Sequence, residues 1–102
     1  MNLQEMMRQA QRMKAKLEKV QAEVGQRTVE GSAGGGMVVV TANGKSQIVG
    51  VKIDKQVVSA DDVEMLQDMV LSATNQAIER AQEMMNAEVS KVTGGAGVPG
   101  MF

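Results

Sequence analysis

Arg8, Arg12, Lys16 and Lys19 recur at steps of three or four residues near the start of the chain. At 100° per residue on a helix they fall within an arc of about 80° and cover about 16 Å of axis. Guanidinium and ammonium groups donate hydrogen bonds and accept none, so such a row suits a row of anionic oxygens. A duplex backbone presents a phosphate charge about every 1.7 Å, which matches that scale. Glu5 and Glu23 lie on the same arc, placed to pair with Arg8 and Lys19 respectively, which leaves Arg12 and Lys16 as the least committed charges. The same pattern also describes a solvated coiled-coil face, or one turned toward an acidic helix, and residue types and spacing leave these readings open.

Other chemistry has fewer carriers. With no His, Cys or Tyr, the usual general bases and nucleophiles are missing. Ser59 has no His to activate it, and no pair of buried carboxylates can be argued. The group Asp61, Asp62 and Glu64 is explained as helix capping without a metal. Gly44-Lys45-Ser46 has the closing residues of a phosphate-binding loop, but Val39 stands where its first glycine belongs and a strand pattern follows, so it reads as a turn. No catalytic, cofactor-binding or metal-binding residue is assigned, and neither an enzyme nor a small-molecule substrate is expected.

The elements that must position the cations follow from periodicity. Leu3, Met6, Ala10, Met13, Leu17, Val20 and Val24 alternate steps of three and four, a heptad seam on an N-terminal helix that Gly25 closes. The cationic arc is centred about 120° from this seam, so the seam can be buried while the cations stay in water. Between Arg27 and Lys55, "RTVEGSA", "GMVVVTA" and "SQIVGVKI" read as three strands of an antiparallel meander. Gly34 to Gly36 form one turn, and Asn43-Gly44 signals a hairpin because both residues tolerate positive φ. A second helix is expected from about Asp61 to Lys91, with Ser59 as N-cap and Val63, Leu66, Val70, Ala73, Ala77 and Met84 on its apolar stripe. At about 46 Å it is longer than three strands can cover, so part of it should project.

The chain has 102 residues, of which 43% are hydrophobic, and its only aromatic is Phe102. Val, Ile, Leu, Ala and ten Met must supply a thin core, which a second copy of the chain would complete. A homodimer is therefore expected. One domain over residues 1–92 is followed by a glycine-rich tail over 93–102, expected to be disordered. Residues 1–27 carry six Lys/Arg against three Asp/Glu, whereas residues 61–102 carry two against seven, so one end is basic and the other acidic. The absence of cysteine, of a long apolar run and of a secretory pattern gives the expectation of a cytoplasmic protein with no membrane partner.

"MNLQEMMRQAQRMKAKLEKVQAEV", then "VEGSAGGGMVVVTANGKSQIVGVKID", then "DVEMLQDMVLSATNQAIERAQE" together resemble the YbaB/EbfC family of nucleoid-associated proteins. The likeness runs over about residues 1–91, and "EGSAGGGMVVVTANG" and "LSATNQA" are its most specific parts. It implies an α+β fold: an α-β-β-β-α protomer with a three-stranded antiparallel sheet, long N- and C-terminal helices and a dimer formed through the β-region. It further implies helices that project as tweezer-like arms, grip double-stranded DNA and influence nucleoid organisation and gene expression. The DNA-contacting role maps onto Arg8, Arg12, Lys16 and Lys19, with Lys14 and Arg27 beside them. A different class of function stays in view: a protein-interaction module whose heptad seams dock a partner's helices without touching DNA.

Overall fold

The computed structural model describes residues 2–94. Helix α1 spans Leu3–Gly25, strands β1, β2 and β3 span Thr28–Ala33, Val38–Asn43 and Ile48–Ile53, and helix α2 spans Val63–Val92 after one 3₁₀ turn at Lys55–Val57. The sheet order is β1-β2-β3, all antiparallel, as the meander read from the three segments predicts. Alternation places Val38, Val40 and Ala42 of β2 on one face, where they are fully buried under Ala73, Ala77 and Ala81 of α2. These alanines let the helix lie close to the sheet, and Gly31 of β1 sits at the closest approach. A Cβ there would strike the carbonyl oxygen of Ala73 and the nitrogen of Ala77.

The two edges of the sheet differ. On β1, the Ser32 N–H donates to Gln76 Oε1 at 2.6 Å, and the Glu30 carbonyl accepts from Arg80 Nη1 at 2.7 Å. Both partners come from α2, so one helix covers the face of the sheet and also caps this edge. No side chain hydrogen-bonds the backbone of β3 among the described residues, and Ile48, Val49, Val51 and Ile53 are all exposed. Register puts Val51 opposite Val40 and Ile53 opposite Val38, on the α2 side of the sheet, but α2 leans toward β1 and leaves them bare. The pairing slips at Thr41/Ala42, where β3 takes in one extra residue, a bulge of the kind that bends an edge strand.

Several local expectations change in detail. The hairpin after β2 is a three-residue loop rather than an Asn-Gly two-residue turn. Asn43 N–H donates to the Gln47 carbonyl at 2.9 Å, and Asn43 Oδ1 accepts from the N–H groups of Lys45 and Gln47. The residue at positive φ is Ser46, at +63°, and neither Asn43 nor Gly44. Glycine is needed at position 44 for a steric reason: a Cβ there would collide with the carbonyl of Val24 at the end of α1. Gly34 to Gly36 do form the expected turn between β1 and β2, and the structure adds that all three are left-handed, with φ of 64°, 68° and 91°.

The N-cap of α2 is Asp62, whose Oδ1 accepts from Met65 N–H at 3.2 Å. Ser59 instead caps the preceding turn, accepting from Asp61 N–H at 3.2 Å. Thr93 and Gly94 close α2 through bonds to the carbonyls of Val89 and Lys91, and the rest of the glycine-rich tail lies outside the described residues.

The part of α2 beyond the sheet is not bare, because the C-terminal half of α1 packs against it, burying Val24 and half-burying Leu17 and Val20. The segment without cover is the N-terminal half of α1, where every residue from Asn2 to Lys16 is exposed. The radius of gyration is 19.1 Å, against about 13 Å for a compact chain of this length.

Candidate nucleic-acid interface

Helix α1 starts at Asn2, whose Oδ1 accepts from Glu5 N–H at 2.8 Å, so an ordinary cap anchors the far end of the projecting segment. Arg8, Arg12, Lys16 and Lys19 are all exposed along it. None of the four forms an ion pair among the described residues; the three ion pairs there are Lys14 with Glu18, Arg27 with Glu88 and Lys91 with Glu88. The compensation suggested by sequence spacing is therefore absent: Glu5 does not reach Arg8, nor Glu23 Lys19, within 4.0 Å. Glu5, Arg8, Gln9 and Arg12 line a shallow depression of about 110 Å³ on the outer face of the helix.

Lys14 and Arg27 are placed differently. Lys14 Nζ lies 4.0 Å from Glu18 Oε1 one turn on, a solvated pair that constrains neither side chain much. Arg27 follows the end of α1, and its guanidinium sits 3.5 Å from Glu88 Oε1 of α2, with Lys91 Nζ at 3.0 Å from the same oxygen. The Lys91 hydrogen bond, reinforced by Arg27, holds the Glu88 carboxyl below the usual carboxylate range. Arg27 thus ties the two helices together, while the four-residue stripe has no such internal task.

The seam beside the stripe is only partly used. Its lower part packs on α2, but Leu3, Met6 and Met13 remain 71%, 53% and 39% exposed. A second apolar surface is formed by Ile53, Leu66, Val70 and Leu71, which border a groove of about 480 Å³ beside the open edge of β3. No helix among the described residues is long and apolar enough to cross a membrane. No group of three or more Asp or Glu there is placed to hold a metal ion.

Fold and surface together define a small α+β protein that carries, among its described residues, unpaired exposed cations on a projecting helix. The sequence matches the YbaB/EbfC DNA-binding family over residues 1–96, and the chain belongs to that family. It is 48% identical over 101 residues to a nucleoid-associated protein of Caldanaerobacter subterraneus, covering 99% of this chain and 91% of that one. A nucleoid-associated protein of Acetivibrio thermocellus is 50% identical over 102 residues, with 99% and 90% covered. A crystal structure of an uncharacterized Helicobacter pylori protein shares the fold at a TM-score of 0.80 and 22% identity, covering 91% of this chain and 98% of that one.

Proposed function

We propose that this chain is a dimeric nucleoid-associated protein of the bacterial cytoplasm that binds duplex DNA through Arg8, Arg12, Lys16 and Lys19. The observation that carries the reading is that these four cations stand exposed on one arc of a projecting helix with no carboxylate partner among the described residues. Arg12 and Lys16, at the middle of the stripe, contact phosphates, and Arg8 and Lys19 extend the contact. Lys14 adds charge at the side of the arc, and Arg27 contributes mainly by fixing the base of the arm. All of these contacts are assigned to the phosphate backbone, which fixes the protein's register on the duplex, and none is argued to read a base.

Dimerisation through the β-region is supported by the contrast between the two sheet edges. With β1 capped by Gln76 and Arg80, β3 is the edge available to a second copy, and its Val51 and Ile53 offer the apolar surface that such a contact buries. Two protomers then present equivalent stripes, and the phosphates they neutralise together make affinity fall steeply with salt. Through that binding the dimer organises the nucleoid and influences gene expression.

A second reading, a protein-docking module, is favoured by the bare upper seam at Leu3, Met6 and Met13. A duplex gel-shift series at rising salt, run beside a pull-down from nuclease-treated lysate, separates the two. Salt-sensitive shifts by the pure protein support the DNA reading; capture of one protein without any shift supports the other.

A further inference from the structure

The β2–β3 hairpin, the end of α1 and the C-terminal half of α2 border an open cleft of about 540 Å³ on the side of α1 away from the cationic stripe. Gln21, Lys45, Ser46, Gln82 and Asn86 supply its polar lining, and no carboxylate lines it. Lys45 forms no ion pair among the described residues, and the functional groups of Gln21, Ser46, Gln82 and Asn86 make no hydrogen bond within the chain there. The lysine is nonetheless positioned: its stem lies over Gly25, where a Cβ would come within 2.9 Å of Cε. The hairpin beneath it is seated by Gly44 against the Val24 carbonyl.

We propose that this cleft binds a phosphoryl group together with the adjoining sugar or base, as carried by a nucleic-acid strand or a free nucleotide. The proposal extends the DNA-binding reading to a second surface. The backbone N–H groups of the turn cannot hold the phosphate, since those of Gly44, Lys45, Ser46 and Gln47 are already donated to Arg27, Asn43 and the Asn43 side chain. Side chains must hold it. Lys45 supplies the charge, and Ser46 a hydroxyl. The three carboxamides supply donors and acceptors, which suit the mixed edge of a nucleobase or sugar better than a bare anion. Gln21 and Gly25 lie about 180° around α1 from the midpoint of Arg12 and Lys16, so an occupant of the cleft and a duplex on the stripe do not exclude one another.

The test is nuclear magnetic resonance of the uniformly labelled full chain, titrated separately with adenosine monophosphate and with a short duplex. Lys45→Met keeps the stem over Gly25 and removes the charge, and Lys45→Arg restores it. The expected result is movement of the Gln21, Gln82 and Asn86 side-chain amides and of the Lys45 N–H, lost in Lys45→Met and regained in Lys45→Arg. For duplex, the Lys45→Met salt slope drops by about one per protomer. Movement with duplex assigns the source to a strand, and movement with the mononucleotide alone assigns it to a free nucleotide.

If neither ligand moves these signals at saturation, or if Lys45→Met responds like the parent, the proposal is overturned, and duplex binding through the stripe is untouched by that result. Cleft shifts that persist with duplex in Arg12→Ala/Lys16→Ala support the cleft even where the stripe assignment fails.

Discussion

The carboxamide of Gln76 on α2 accepts the outward N–H of Ser32 on β1 at 2.6 Å. Together with Arg80 on the Glu30 carbonyl, it closes an edge that would otherwise recruit another strand, and the asymmetry between β1 and β3 follows. Substituting Val51 or Ile53 by Asp on the open β3 edge is expected to yield a folded monomer by sedimentation velocity. Gln76→Ala is expected to leave the proposed β3-mediated dimer in place. A dimeric Ile53→Asp protein would place the subunit contact elsewhere.

Gly31 marks the closest approach of α2 to the sheet. Even the single methyl of Gly31→Ala has to push back the helix backbone at Ala73 and Ala77. The expected cost is about 1–3 kcal/mol, typical of overpacking a dense core. It is measured by thermal unfolding at matched protein concentration, because association shifts the apparent midpoint. An unchanged midpoint would mean that helix and sheet are farther apart in solution.

Glu88 joins Arg27 at the base of α1 to Lys91 on its own helix. Its carboxyl is held below the ordinary range, first by the Lys91 hydrogen bond. A depressed carboxylate contributes stability above its unfolded pKa and loses it as pH falls through the folded one. The parent should therefore melt above Glu88→Gln at neutral pH, and the gap should close as the solution is acidified below the ordinary carboxylate range. A gap independent of pH would show that the ion pairs are not its cause.

Much of this arrangement is legible in the sequence, and the parts that are not have physical reasons. The three-four spacing of α1 and α2 and the Val- and Ile-rich runs of β2 and β3 give most of the element order, because each pattern has its own period; β1, with one Val, is the faintest strand in the sequence. The cap of α2 shifts from Ser59 to Asp62, since several capping residues stand in a row and only the chain's exit from the 3₁₀ turn chooses among them. Gly44 is predicted for its backbone freedom but is required by the Val24 carbonyl, a contact between elements that no local pattern encodes. The cationic stripe is visible on a helical wheel, whereas its lack of carboxylate partners depends on rotamers and on which half of α1 leaves the body. Lys45, Gln82 and Asn86 belong to no shared motif and meet only through tertiary packing.

In the proposed function, free cations on the projecting helix carry duplex binding. Fluorescence anisotropy of a labelled duplex, titrated over a range of salt concentrations with the parent and with Arg12→Ala/Lys16→Ala, tests it most directly. Both proteins must first be shown to be helical and in the same oligomeric state. Weaker binding is expected of the variant, with a salt slope shallower by about two for each engaged arm, one for each lost phosphate contact. Identical affinity and slope in the two proteins would contradict it.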